Sequence, residues 1–178
     1  IRGFAVAREL ADRAGGLVLA GDIDGMMCEL RLYQRRYEEL IERTTAAETF
    51  AERAGLGRLA RPYLLYHRAF AQVSLGMLEG SLATIRQALR DEPSGQALVL
   101  IHLVGAQASL AAGALEDAHD HIEASRFPDA TEEEELGRGW LATLRAQLAL
   151  AKGRPDEAVR IVAATAPRIA NADVMTEM

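Results

Sequence analysis

Three glycines set the frame of this chain. Gly76, Gly113 and Gly153 each close one apolar helical stripe and precede another, at intervals of 37 and 40 residues (113 − 76 and 153 − 113). The turns read Leu75-Gly76-Met77-Leu78-Glu79, Ala112-Gly113-Ala114-Leu115-Glu116 and Lys152-Gly153-Arg154-Pro155-Asp156. Glycine ends helices because it enters the left-handed conformation without a Cβ clash. Before Gly76, Leu65, Ala69 and Val73 recur at helical spacing. After it, Leu82, Ile85, Ala88 and Leu89 do the same until Pro93 stops the run. A helical hairpin that returns at such a period is the mark of a stacked repeat. The expected fold is therefore all-α, a right-handed α-solenoid of antiparallel helical hairpins.

Composition agrees with this and removes several functions. Hydrophobic residues make up 49 % but aromatics only 5 %, so small side chains dominate and helices can approach closely. A net charge of −6 argues against a nucleic-acid surface, which needs clustered Lys and Arg. The one local basic group, Arg31, Arg35 and Arg36, is flanked by Glu29, Glu38 and Glu39 and reads as a solvated helix face. Cys28 is the single cysteine, which rules out a disulfide framework and a thiolate metal cluster. Beside Met26, Met27 and Leu30 it reads as a small packing residue. No apolar run approaches the ~20 residues a membrane span needs. The first residues lack a basic region, apolar core and cleavage site, so a cytoplasmic location is expected. The chain opens at Ile1 inside helical periodicity, as a piece of a longer protein would.

Along the chain, hairpins are expected at about 3–54, 62–92, 96–126 and 131–167 of a single domain spanning 1–178. Gly21-Asp22-Ile23-Asp24-Gly25 reads as a turn, with Asp22 or Asp24 capping the helix that follows. Residues 24–54 form one long helix or two; a break near Thr44-Thr45 is favoured because helices beyond ~25 residues are uncommon. Pro62 is expected at a helix start, where its missing N–H costs nothing. Phe127-Pro128-Asp129-Ala130 reads as a loop. Thr131 with Glu134 has capping-box spacing, and Pro167 is expected to end the last full helix.

The glycine turns resemble those of tetratricopeptide repeats. That family places a small residue five positions after the turn glycine, matched here by Ser81, Ala118 and Ala158. It also places Ala-Leu near the end of the second helix and Pro shortly after, matched by Ala88, Leu89 and Pro93. The aromatic and Leu-Gly pair of each first helix is absent; Arg68-Ala69, Gly105-Ala106 and Arg145-Ala146 stand instead. The Ala-rich hairpins with Gly-Arg-Pro-Asp-Glu-Ala and Gly-Asp-Ile-Asp-Gly segments are similar to the sensor regions of LuxR-type bacterial transcriptional regulators of the maltose-activator kind. The resemblance implies a non-catalytic module that binds a protein or peptide partner, or a small-molecule effector, in a concave groove. It places Tyr63, Tyr66, Phe70, Leu103, Gln107, Trp140, Thr143 and Gln147 near that groove. Tyr63, Tyr66 and Trp140 are the expected anchors, since aromatics bury large area at small entropy cost. A homodimer is a further arrangement open to such a module. The alternatives are a free-standing scaffold or adaptor holding a peptide or helix in the groove, and third, an all-α enzyme of unfamiliar type.

Catalytic signatures do not appear. There is no phosphate loop ending in Gly-Lys-Ser or Gly-Lys-Thr and no Gly-x-Ser-x-Gly elbow. Glu116, His119, Asp120 and Glu123 share one helix face while His121 points away, the pattern of a solvated face rather than of convergent metal ligands. His67 and His102 each lie in the first helix of a hairpin, without a nucleophile or paired carboxylate beside them. Neither cofactor nor metal is expected.

Overall fold

The computed structural model describes residues 2–125 and 132–174, the side chains of residues 2, 17, 59, 132–136 and 166–174 excepted. Among the described residues there are nine helices and no strand. They are α1 (Arg2–Arg13), α2 (Leu17–Tyr33), α3 (Tyr37–Arg53), α4 (Gly57–Ser74), α5 (Leu78–Arg90), α6 (Gly95–Ala111), α7 (Leu115–Ala124), α8 (Glu132–Ala151) and α9 (Pro155–Val174).

Six turns between them are built alike. In each, one residue takes a left-handed φ: Gly15 (70°), Arg35 (55°), Gly55 (71°), Gly76 (75°), Gly113 (75°) and Gly153 (70°). The following residue then donates its backbone N–H to the carbonyl five positions back. The pairs are Gly16 to Ala11, Arg36 to Arg31, Leu56 to Ala51, Met77 to Gln72, Ala114 to Ser109 and Arg154 to Ala149, at 2.8–3.0 Å. This closure satisfies carbonyls that a helix end otherwise leaves bare. The fifth residue after each left-handed position is Ala20, Leu40, Ala60, Ser81, Ala118 and Ala158, of which all but half-buried Ala60 are buried. Ser81, Ala118 and Ala158 thus sit where the small-residue spacing put them.

The chain divides into two compact units, Ile1–Ala97 and Leu98–Met178. In the first, each of α1 to α4 packs on its successor and α2 also touches α4. Ala11, Ala20, Ile23 and Met27 form one core cluster with Phe4, Ala7 and Phe50 against it. Cys28, Leu40, Ala47, Leu64 and Ala71 form another. In the second unit, Val99, Leu103, Ala106, Ala118, Ile122, Leu141, Leu144 and Leu148 make one core. Ala146, Ala149 and Ala158 make a second, smaller one between α8 and α9.

Several boundaries differ from the expectation. Gly21-Asp22-Ile23-Asp24-Gly25 is not a turn; it lies inside α2, and the turn is at Gly15-Gly16. The segment 24–54 is indeed divided, but at Gln34–Arg36 rather than at Thr44-Thr45. There the left-handed residue is Arg35, so no glycine announces it. Thr44 and Thr45 both turn their hydroxyls back to the Ile41 carbonyl at 2.9 Å, within an unbroken α3. The expected first hairpin, 3–54, consequently holds three helices. Pro62 is the sixth residue of α4, which starts earlier at Gly57, and Pro167 lies within α9 rather than ending it. The cap at Thr131 and the loop at 127–130 fall outside the described residues.

Candidate functional site

The expected groove residues separate by burial. In the first unit Tyr63 is 40 % exposed, whereas Tyr66 is buried and Phe70 half-buried. The Tyr66 ring lies 4.8 Å from that of His67 and 6.5 Å from Phe70, and Phe70 in turn lies 6.5 Å from Tyr37. These are core aromatic distances. Burial pushes the Tyr66 hydroxyl up to about 12 and the His67 imidazole down to about 4, so both are neutral at pH 7. His67 Nδ1–H donates to the Tyr63 carbonyl at 2.8 Å. In the second unit Leu103 is fully buried in the core, and half-buried Trp140 packs against that core. Gln107 is half-buried, and Thr143 and Gln147 are exposed. Tyr63, Thr143 and Gln147 are the members of the set most open to solvent.

The first unit also carries a cleft that the sequence reading missed. It has a volume of about 670 Å³ and is lined from three helices: Arg8 and Asp12 of α1, Asp24 and Arg31 of α2, and Glu39, Glu42, Arg43 and Phe50 of α3 with Ala46 and Ala47. Arg8 is its centre. Its guanidinium pairs with Asp12, donates Nε–H to Asp24 at 2.8 Å, and lies 4.2 Å from the centre of the Phe50 ring. Arg31 pairs with Glu39 at 2.9 Å without the alignment of a hydrogen bond, and donates to Gln34 at 2.9 Å. Arg43 reaches Asp24 only at 3.8 Å, a loose pairing. Glu42 is exposed. The cleft therefore offers both signs of charge above an apolar floor of Phe50, Ala46 and Ala47.

Each helix supplies its part by periodicity. Arg8 and Asp12 are one turn apart on α1; Asp24 and Arg31 are two turns apart on α2; Glu39, Glu42, Arg43, Ala46 and Phe50 follow the 3-4 spacing of one α3 face. The signal was present, but reading Asp24 as a cap removed it from the face of α2.

A second ionic group lies between α3, α4 and the end of α5. The Glu48 carboxylate accepts from Arg61 Nε at 2.8 Å and from Arg68 Nη2 at 2.6 Å. Arg61 also donates to Asp91 at 3.1 Å, and Arg68 to the Thr44 hydroxyl at 3.3 Å. Burial alone would raise the Glu48 pKa, but the hydrogen bonds from Arg61 and Arg68 outweigh it and hold the carboxyl below its ordinary value. Both Glu48 oxygens are satisfied, as in a structural network, while Asp91 keeps one buried oxygen without a hydrogen bond.

In the second unit two imidazoles meet. His102 Nδ1 and His121 Nδ1 are 2.9 Å apart, with one ring donating and the other accepting. Burial lowers both pKa values, and each is half-buried. His121 thus turns away from the exposed face of His119, Glu116, Asp120 and Glu123, as its helical position implied. No group of three or more His, Cys, Asp or Glu side chains converges among the described residues. Cys28 is fully buried, and burial pushes its thiol up to about 12, which suits packing rather than nucleophilic chemistry. No described helix is long and apolar enough to cross a membrane. No protein-family model, curated protein or solved structure matches this chain.

Proposed function

We propose that this chain is a non-catalytic, tetratricopeptide-like binding module, a ligand-sensing or protein-interaction segment of a bacterial transcriptional regulator acting in the cytoplasm. The observation that carries the binding role is the cleft of about 670 Å³ between α1, α2 and α3, with Arg8, Arg31 and Arg43 opposed to four carboxylates over Phe50. Clefts that place a few oriented polar groups around an apolar floor are where small ligands bind. The recurrence of one turn geometry at Gly15, Arg35, Gly55, Gly76, Gly113 and Gly153 supports a repeat architecture. Apolar side chains exposed on α1 (Val6, Leu10) and α9 (Val159, Val162) are what neighbouring repeats of a longer array would cover.

A thermal-shift screen of amino acids, dicarboxylates, polyamines and short charged peptides tests the reading. A true ligand raises the melting temperature, and its affinity falls at least about tenfold in Arg43→Ala while the unliganded melt stays close to wild type. If no charged compound binds and the parent reading frame encodes neither a DNA-binding module nor a nucleotide-binding one, the proposal fails. A scaffold role is tested separately at Tyr63, which is exposed: Tyr63→Ala should cost a peptide partner about 2 kcal/mol of binding and little stability.

A further inference from the structure

The His102–His121 pair takes no part in the cleft or in either ionic group of the first unit. Its geometry is unusual for a packing contact. The two rings are tilted by 54° with centroids 5.2 Å apart, and it is the two Nδ1 atoms that face one another, at 2.9 Å. Neutral imidazole binds divalent transition metals through either ring nitrogen. Two imidazole nitrogens bound side by side to one zinc at ~2.0–2.1 Å stand about 3.0–3.4 Å apart. At 2.9 Å the two Nδ1 atoms share a hydrogen bond; an ion would replace it, with the Nδ1 proton moving to Nε2 of the same ring and both Nδ1 lone pairs turning towards the metal.

The backbone around the pair is shaped to it. His102 and Gly105 are three residues apart on α6 and therefore share a face. A Cβ added at Gly105 would lie 2.7 Å from both Cε1 and Nδ1 of His121 and 2.8 Å from Nε2. The His121 ring thus rests on bare helix backbone at a position where glycine costs about 1 kcal/mol of helix propensity. Any other residue at 105 would displace the ring from His102. Burial keeps the His121 ring neutral, the form that ligates a metal, while Asp117 and Asp120 on the same helix act on it with negative charge.

We propose that His102 and His121 form a two-imidazole seat for a divalent transition-metal ion, with Zn²⁺ the reference ion and water in the remaining positions. Both imidazoles belong to helices fixed by the Leu103, Ala118 and Ile122 core, so packing keeps the two rings side by side. With two protein ligands rather than four, it keeps coordination positions free, as exchangeable sites do and structural zinc sites do not.

The chain has four histidines, which permits a direct test on the wild-type protein. Imidazole ¹H–¹⁵N spectra are recorded during titration with zinc chloride at pH 7.5 in a weakly coordinating buffer. The expected result is a saturable one-to-one shift of Nδ1 in His102 and His121, with His67 and His119 unmoved. By calorimetry, His102→Ala and His121→Ala each weaken zinc at least about tenfold, while His119→Ala leaves it unchanged. The proposal is overturned if His102 and His121 do not respond, if His119 alone responds, or if both alanine variants bind as wild type. Should an alanine variant melt early, the wild-type spectrum still decides.

Discussion

The two units use the same turn and fasten their helices differently. In the first, charge crosses from helix to helix: Arg8 to Asp24, Arg61 to Glu48 and Asp91, Arg68 to Glu48. In the second, Leu103, Ala106, Ala118, Ile122, Leu141 and Leu144 meet side by side, and a polar contact between helices is the His102–His121 pair. The comparison separates what fixes the path of the chain from what fills it. The left-handed turn and the small buried residue five positions on recur in both units. Whether arginine–carboxylate pairs or methyl groups occupy the space between helices is a free choice at each level, and it is the choice that gives the first unit its cleft.

The largest expected effect lies in the apolar unit. Leu144 is 1 % exposed, so Leu144→Ala should lower stability by about 2–5 kcal/mol, read by denaturant unfolding. That loss should be the same in 0.1 M and 1 M salt; a salt-dependent loss would break the contrast.

Acid should act next, through His67 in the first unit. Its folded pKa is about 4 against 6.5 unfolded, so the unfolded chain binds the extra proton between those values. Stability is full above pH 6.5 and falls as pH drops towards about 4, by something of order 3 kcal/mol. Amide exchange of α4 as a function of pH follows it, and His67→Gln should flatten that slope. A slope that survives the substitution would assign the acid sensitivity elsewhere.

Glu48→Gln sharpens the ionic side. It leaves Arg61 and Arg68 with a neutral partner, at an expected loss of about 2–3 kcal/mol, below the range for wholly buried pairs because Arg61 is 28 % exposed. Here 1 M salt should narrow the gap between variant and wild type, the opposite of Leu144→Ala. The depressed pKa of Glu48 means its contribution is present above the ordinary carboxylate value of 4.5 and is lost as pH falls through the folded value.

Two smaller substitutions probe the shared turn. Ala118 is fully buried, and Ala118→Leu should overpack α6 against α7 at about 1–3 kcal/mol in a thermal melt. A neutral result would mean that the small residue after the turn is not a close-approach position. Ser109 and Ser81 offer the finest comparison. Both are fully buried, but Ser81 donates to the Ala69 carbonyl at 2.9 Å while the Ser109 hydroxyl has no partner. Ser109→Ala should be neutral or stabilising by under about 1 kcal/mol, and Ser81→Ala destabilising by about that amount.

The helical class, the turns at Gly76, Gly113 and Gly153, and the burial of Ser81, Ala118 and Ala158 were legible in the sequence because glycine and small residues have one physical use at those places. The first third was misread for a matching reason. Arg35 takes the left-handed conformation that glycine takes elsewhere, at a cost of order 1 kcal/mol, so no residue type marks the break between α2 and α3. Conversely Gly21 and Gly25 look like punctuation but sit inside α2; a Cβ at Gly21 would meet only Leu56 Cδ1 at 3.6 Å, and one at Gly25 nothing. With α2 displaced, the shared face of Asp24 and Arg31 was invisible, and the cleft with it. The His102–His121 contact joins residues 19 apart, a distance that helical periodicity does not address.

The turn at Arg35 also makes the molecule its own clock. Arg35-Arg36 is a dibasic sequence on an exposed turn, the kind trypsin prefers. A protease must draw several residues into an extended strand, and here the neighbouring amides of Gln34, Arg35 and Arg36 are all committed to carbonyls of α2. Exposure alone therefore does not make the bond cleavable. The rate of cutting at Arg35-Arg36 measures how often the junction of α2 and α3 opens, the same junction that carries Arg31 and Glu39 of the cleft lining. A compound that seats itself there should slow the clock, whether or not it moves the melting temperature.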